Sequence, residues 1–372
     1  MVSKAYVVGA YQTKLEALAR RPDIELSVIV PPAWKGPEGV TVLERRHLTG
    51  YQLIVSPIRF NGHFHIHYYP ELGRWLRRLR PDIVHLDEEP YNLATYLGLR
   101  AAKQQGARTV FFTWQNLYRL YPWPFRALEQ ASFRLSDGAL AGNEDAGRVL
   151  RRKGYRRPIA VIPQFGVVPE QFAPHPGRLA GAPLRVGYAG RLVPEKGVDI
   201  LLDALAGLAR PWRAIVAGGG PEEGRLRAQA EQLGIAERIE FAGRLPSAAM
   251  PAFFAGLDVL VLPSRRRPNW VEQFGRVLIE AMAAGVVVVG SACGEIPRVI
   301  GDAGLVFTDG DVLALRAHLE RLAGDEALWG RLAQAGRQRV LEHFTQERVA
   351  QQTYSVYQSL GSAAFSGDFS VV

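Results

Sequence analysis

Short apolar runs alternate with amphipathic stretches along the whole 372-residue chain, and the alternation stops once and starts again. In the first half the runs lie at 5–8, 26–30, 53–55, 83–86, 109–113, 138–141 and 159–162, with helical stretches such as 91–105 and 124–135 between them. In the second they lie at 184–189, 213–217, 239–241, 259–262, 286–289 and 304–307, with helical patterns at 198–208, 222–233, 246–255, 274–284, 311–322 and 326–344. Between the halves, 173–183 is rich in Pro and Gly and carries no pattern, as a linker does. Continuous apolar strands separated by helices belong to parallel sheets covered on both faces. The fold expected is therefore α/β, two Rossmann-like doubly wound domains facing a cleft, with ligands beyond the carboxyl ends of the strands. The domains expected are 1–172, the linker 173–183, and 184–345. A helix at 346–360 is expected to pack back toward the first domain, and 361–372 reads as a disordered tail.

Length supports two domains, since a single core stops growing at about 250–300 residues. With 48% hydrophobic and 22% charged residues, both can bury real cores. The one cysteine, Cys293, excludes an internal disulfide and suits a reducing compartment. The first residues lack a signal-peptide core, and the apolar stretch 281–289 falls far short of the roughly 20 residues that span a bilayer. A cytoplasmic location follows as the expectation. Charge is uneven: residues 1–175 hold 24 basic and 15 acidic side chains, and the remainder holds 21 of each. That surplus serves solubility, or it attracts an anionic acceptor or the inner membrane face. Nucleic acid is not expected, because the arginines are scattered without a binding signature.

Three segments of the second half carry chemistry. In the first, a strand ends at Ala189 and Gly190, and the loop beyond it brings Arg191 and Lys196 to a helix start, a place for a diphosphate or simply a solvated turn. The second, Gly218 to Gly220 after a strand, permits close backbone approach to a ligand or makes a tight turn. It lacks the Lys-Ser/Thr of a P-loop and the spacing of a dinucleotide fingerprint. The third places Glu272 in an entry loop and Glu280 about two turns into the next helix, with the amides of Phe274 and Gly275 at its start. Two carboxylates so spaced could hold two hydroxyl-bearing parts of one ligand, or be a capping acid and an ordinary glutamate.

Taken together the three segments resemble retaining glycosyltransferases of family 4, which have the GT-B fold. Glu272 and Glu280, separated by QFGRVLI, match the family's paired glutamates, and AMAAG, GRLVPEKG and the Gly-Glu-Ile-Pro run at 294–297 match its neighbouring segments. The resemblance implies transfer of a sugar from a nucleoside diphosphate sugar to a hydroxyl acceptor, with no metal or other cofactor. It implies that Glu280 binds the ribose hydroxyls, that Arg191 and Lys196 neutralise the diphosphate with the Phe274 and Gly275 amides, and that Glu272 contacts the transferred sugar. Gly190 and Gly219 would lie against the donor, and Arg244 and Leu245 would border the base. The rival readings are a GT-B sugar-nucleotide epimerase and a non-catalytic two-domain sugar-binding protein.

The first half departs from the family pattern twice. A single glycine, Gly9, stands where the family's glycine-rich loop follows the first strand, so Gln12, Thr13 and Lys14 are the residues left to approach phosphates or acceptor. Where the family carries a His-x-His pair, this chain has His85, expected on the acceptor side, and then Asp87, Glu88 and Glu89. Asp87 and Glu88 could receive an acceptor hydroxyl or act as base toward it; a merely solvated acidic loop is the alternative. His63, His65 and His67 alternate and read as an acceptor-facing loop beside Tyr68 and Tyr69 rather than a metal triad. Trp114, Tyr118, Tyr121 and Trp123 could form a stacking wall for a sugar or a lipid-linked acceptor, and Arg74 to Arg80 could meet lipid headgroups.

Overall fold

A computed structural model describes residues 1–36, 39–178 and 181–361. Apart from Gly361, the tail expected at 361–372 lies outside the described residues, as do positions 179 and 180 of the linker. The chain divides into two units: Met1–Gly166 with the C-terminal helix Gln346–Gly361, and Val167–Thr345. The boundary therefore falls before the Pro/Gly-rich stretch, which belongs to the second unit.

In the first unit, strands β1 (Ser27–Val30), β2 (Ala33–Gly36), β3 (Gly39–Val42), β4 (Gln52–Val55), β5 (Ile83–Leu86), β6 (Arg108–Thr113), β7 (Gly138–Ala141) and β8 (Ile159–Val161) occur in chain order. β2 and β3 form a small antiparallel hairpin; β1 pairs with β4, and β5 to β8 follow one another, all parallel. Val2 joins the two groups through parallel bridges to Ile29 and Leu86. Its N–H donates to the His85 carbonyl and its carbonyl accepts from Asp87 N, both at 2.9 Å. The sheet thus runs β4, β1, Val2, β5, β6, β7, β8, and its order reverses between Val2 and β5. The strand expected at 5–8 is not formed: Ala5–Val7 is a 3-10 turn. The rung of the sheet is already supplied at Val2, and Lys4 bends the chain with φ −79° and ψ −16°. Tyr6 and Val7 are nevertheless buried, which is what the apolar signal reported.

Alternate residues of these strands feed two cores. Ile29, Val84, Leu86, Phe111 and Ala139 face one; Val28, Val30, Val110, Phe112 and Leu140 face the other. The second core is closed by Leu15 and Leu18 of helix Thr13–Ala19 and by Val349, Ala350, Val356 and Tyr357 of the C-terminal helix.

The second unit is one six-stranded parallel sheet of β9 (Leu184–Ala189), β10 (Trp212–Ala217), β11 (Ile239–Gly243), β12 (Val259–Leu262), β13 (Val287–Ser291) and β14 (Leu305–Phe307). Its order is β11, β10, β9, β12, β13, β14, so the reversal lies between β9 and β12. Ligands of doubly wound sheets bind beyond the strands' carboxyl ends at such a reversal. Here those ends are Ala189 and Leu262, which lead into the two loops that carry Lys196 and Glu272.

Candidate active site

After β9 the chain turns at Gly190 and is stitched to its neighbours by backbone bonds. Gly190 N donates to Ala217 O at 2.9 Å, Leu192 N to Gly219 O at 3.0 Å, and Gly218 N to Gly243 O at 2.7 Å. A Cβ on Gly218 would stand 1.8 Å from the Gly190 carbonyl, and one on Gly220 2.3 Å from that of Leu192. Those two glycines are fixed by loop-to-loop packing. Gly219 differs, since its nearest neighbour is the Arg244 side chain at 3.1 Å. Arg244 is exposed and Leu245 half-buried beside it.

Lys196 closes the turn Pro194–Lys196, and Gly197 follows it at φ +66°. A Cβ there would meet the Pro263 carbonyl at 2.1 Å, so only glycine lets this loop lie against the end of β12. Lys196 Nζ reaches Glu272 Oε2 at 2.6 Å and lies over the Trp270 ring at 5.1 Å. Ser264 Oγ donates to the same Glu272 oxygen at 2.8 Å, and the Ser264 carbonyl in turn accepts from Ser291 Oγ. The Glu272 backbone is held by Glu295 N at 3.1 Å and by close contact with Gly294, at φ +60°. Arg191 is half exposed and 4.0 Å from Glu195.

The helix expected from 274 begins two residues later, at Arg276, because Gly275 adopts φ +77° as its N-cap. Phe274 and Gly275 therefore lie in the loop, at the helix N-terminus where backbone N–H groups lack intrahelical partners. Glu280 pairs with Arg276 at 2.8 Å. Burial pushes its carboxyl above the usual range, and Arg276 opposes that.

In the first unit, Asp87, Glu88 and Glu89 follow β5 at the other reversal, and all three are buried rather than forming a solvated loop. Asp87 Oδ2 accepts from Ser3 Oγ at 2.7 Å and from Gln164 Nε2 at 2.9 Å, while Oδ1 has no hydrogen-bond partner among the described residues. Burial raises its pKa against the opposing pull of Lys14. Glu88 is paired with Lys4 and lies 3.5 Å from His67 Nε2. Burial alone would raise its carboxyl, but those two neighbours hold it at about 2. Glu89 accepts from Thr113 Oγ1 at 2.6 Å and Trp114 N at 2.8 Å, yet burial still pushes it up to about 7. The three acids border a cavity of about 260 Å³ walled by Tyr11, Trp34, Phe64, Phe112 and Trp114.

Two expected acceptor-side residues stand elsewhere. Gln12 is fully buried, its amide donating to the carbonyls of Tyr6 and Glu44 and accepting from Arg46 N and His47 N. Its polar atoms are consumed in bracing the loop around Gly9. His85 is buried with Nδ1 2.7 Å from Tyr357 Oη, so it faces the C-terminal helix instead of an acceptor. Lys14 is buried too, donating to the Gln164 carbonyl at 3.1 Å. Trp114 does border the cavity, with its indole N–H on Gln164 Oε1 at 2.8 Å. The rest of the aromatic wall is divided: Tyr118 stacks under Arg152, Tyr121 packs on Tyr91, and Trp123 is 83% exposed. The loop holding His63, His65 and His67 is built of turns; only His67 is buried, against Glu88. Among the described residues, no three His, Cys, Asp or Glu side chains converge to hold a metal ion.

Comparison with known proteins decides what this pair of sites belongs to. Residues 173–339 match the family described as Glycosyl transferases group 1, and residues 13–165 match Glycosyltransferase Family 4. A phosphatidyl-myo-inositol mannosyltransferase of Mycobacterium leprae is 30% identical over 96% of this chain and 94% of its own. The chain belongs to the group 1 glycosyltransferases of family 4. A GDP-mannose-dependent phosphatidylinositol monomannoside mannosyltransferase of Mycolicibacterium smegmatis is 35% identical to this glycosyltransferase over 48% of the chain, a match spanning about half (51%) of that relative. The fold is that of HepE from Anabaena, solved in complex with UDP, with a TM-score of 0.70 at 19% identity over 96% of this chain and 98% of that one. Both units of the glycosyltransferase thus have the Rossmann-like architecture of GT-B enzymes.

Several residues of the glycosyltransferase's sites were not legible in its sequence. Ser264 and Gln164 carry no motif and act through partners 8 and 77 positions away. Lys4 and Trp34 reach the cavity from segments with no local signature. Glu89 had one signal, its place directly after a buried strand, which it shares with Asp87 and Glu88.

Proposed function

We propose that the enzyme transfers a glycosyl group, with retention, from a nucleoside diphosphate sugar to a hydroxyl of a glycan, glycolipid or small-molecule acceptor. The observation that carries the reading is the Lys196–Glu272 pair, built by two loops that leave adjacent strands at the sheet's reversal. A cation and a carboxylate held together there form a polar pair that a sugar diphosphate can open, the phosphate taking Lys196 and the sugar hydroxyls taking Glu272. Arg191, half exposed, adds a second cation, and the amides near Phe274 and Gly275 face the same anion. Glu280 receives the ribose hydroxyls, Gly219 admits the donor's backbone approach, and Arg244 and Leu245 border the base. As the glycosidic bond breaks, charge builds on the β-phosphate, and preorganised cations and amides stabilise it without a metal.

The GDP-mannose named for one relative and the phosphatidylinositol acceptors named for two support a nucleoside diphosphate sugar as donor and a lipid-linked acceptor. Peripheral contact with a membrane fits the first unit's exposed Phe60, Leu120 and Trp123 and its basic surplus. No helix among the described residues is long and apolar enough to cross a membrane. Incubation of donor candidates with and without acceptor tests the reading. Transfer requires the acceptor, and the anomeric configuration of the product matches that of the donor. Acceptor-independent consumption of the donor at full rate would favour an epimerase, and an inverted product would remove the retaining assignment.

A further inference from the structure

The second unit has a cavity at the edge of its sheet opposite to Lys196 and Glu272. It holds about 540 Å³ and is bordered by Pro176, Arg178, Pro183, Arg185, Arg213 and Asp258. Arg185 is the second residue of β9, Arg213 the second of β10, and Asp258 directly precedes β12, so the cavity lies at the amino ends of these strands. Three guanidinium groups meet one carboxylate there, a surplus of two positive charges.

That carboxylate is already engaged. Asp258 Oδ2 accepts from Arg185 N at 2.8 Å, and Oδ1 accepts from Arg185 Nη2 at 2.7 Å and Nε at 3.2 Å. Arg178 Nε lies 3.7 Å from Oδ2, and its terminal nitrogens donate to the carbonyls of Leu322 at 2.6 Å and Ala182 at 3.3 Å. Burial alone would raise the Asp258 carboxyl, but hydrogen bonds from His175 and Arg185 hold it at about 2, so it is ionised at neutral pH. Arg213 is left over. It is exposed and makes no ion pair or hydrogen bond among the described residues. Arg185 spends Nε and Nη2 on its partners, which leaves Nη1 on a side chain 43% exposed.

β9 and β10 pair in parallel with Arg185 and Arg213 in register. Neighbouring strands stand about 4.8 Å apart, so the two guanidinium groups are held side by side at the cavity wall, where like charges repel. An entering anion relieves that repulsion, and neighbouring guanidinium forks are complementary to phosphate oxygens. A phosphate monoester carries nearly two negative charges at neutral pH, which matches the surplus. The volume lies within the roughly 300–1,000 Å³ of small-molecule sites and leaves room for an organic body against Pro176, Ala182 and Pro183. We propose that this cavity is a second ligand site, independent of the donor edge, for a small soluble phosphate monoester held by Arg213 and Arg185.

The test titrates the full chain with phenyl phosphate by isothermal calorimetry at about pH 7.5, where the ester is a dianion. Phosphate also suits the donor edge, so wild type, Arg213→Gln and Lys196→Ala are compared. A binding event is expected that Arg213→Gln weakens about tenfold or more and that Lys196→Ala retains. Binding unchanged in Arg213→Gln, or lost only in Lys196→Ala, overturns the proposal. Thermal unfolding gives a second readout. Without ligand, Arg213→Gln should unfold at or above the wild-type midpoint, because it removes a repulsion, and phenyl phosphate should raise the wild-type midpoint more than that of the variant. A variant that unfolds below the wild type without ligand would show that the protein itself holds Arg213, and would overturn the site. Vesicles of phosphatidylcholine with phosphatidic acid present the same phosphate chemistry at a lipid surface. Arg213-dependent binding to them, without binding of phenyl phosphate, overturns the soluble ligand in favour of a headgroup.

Discussion

Lys196 Nζ and Glu272 Oε2 lie 2.6 Å apart although 76 positions separate them, and Ser264 Oγ shares the same carboxylate oxygen. Both side chains are largely withdrawn from water. Removing Lys196 therefore takes a largely buried counter-charge away from Glu272. Lys196→Ala should destabilise the second unit by about 2 kcal/mol, read by denaturant unfolding. The same substitution should cost about 10²–10³-fold in kcat if the lysine also meets charge on the leaving diphosphate. Glu272→Gln, which can still accept from Ser264, should fold normally and lose transfer; wild-type turnover by it would remove Glu272 from the site.

Gly294 tests the same site without touching a polar group. At φ +60° its Cβ position is 2.1 Å from the Glu272 carbonyl, so Gly294→Ala must push the Glu272 backbone. Gly234, at φ +68° with nothing within 4 Å, is the control for strain alone. Both alanine variants should lose about 1 kcal/mol from the left-handed conformation, but only Gly294→Ala should lower kcat, by tenfold or more. Equal kinetics in the two would show that the position of Glu272 does not matter.

Tyr357→Phe separates structural from acceptor-side histidine. The His85–Tyr357 bond, 2.7 Å long and buried, ties β5 to the C-terminal helix. Its loss should cost about 1–2 kcal/mol of first-unit stability. Because His85 faces that helix, the KM for acceptor should not change; a several-fold rise in KM with stability intact would restore His85 to the acceptor side.

Stability itself carries the signature of Glu89. Its folded pKa of about 7 stands above the value of 4.5 for a free glutamate, so between those pH values the folded chain binds more protons than the unfolded one. The contribution of Glu89 is therefore fully present below 4.5 and lost as pH rises through 7. Unfolding free energies measured from about pH 4.5 to 7.5 should fall more steeply for the wild type than for Glu89→Gln. Parallel curves would mean that the carboxylate titrates normally.

Much of this architecture was readable because it is local. The doubly wound pattern and the 272–280 segment are set by apolar periodicity within a dozen residues, and the structure changes the helix start only through the left-handed Gly275. The first strand misled because Tyr6 and Val7 are apolar for packing within a 3-10 turn, while the sheet needed only Val2. Long-range partners explain the rest. Three consecutive acids read equally as acceptor-facing or as merely solvated until Lys4, Ser3, Thr113 and Gln164 are seen to meet them. Gln12 looked available because nothing local shows that Tyr6, Glu44, Arg46 and His47 use up its amide.

If the second unit holds a nucleoside diphosphate sugar through Lys196 and Glu280, the nucleotide alone should stabilise the fold. Thermal unfolding with a panel of UDP, GDP and ADP, each tested at high concentration, measures that stabilisation. For the base that fits, at about 100 times its Kd, binding adds about 2.7 kcal/mol and should raise the midpoint by about 5 °C or more. Lys196→Ala and Glu280→Gln should lose most of that shift. No shift with any of the three nucleotides, or a shift in both variants equal to that of the wild type, would mean that Lys196 and Glu280 do not hold the nucleotide.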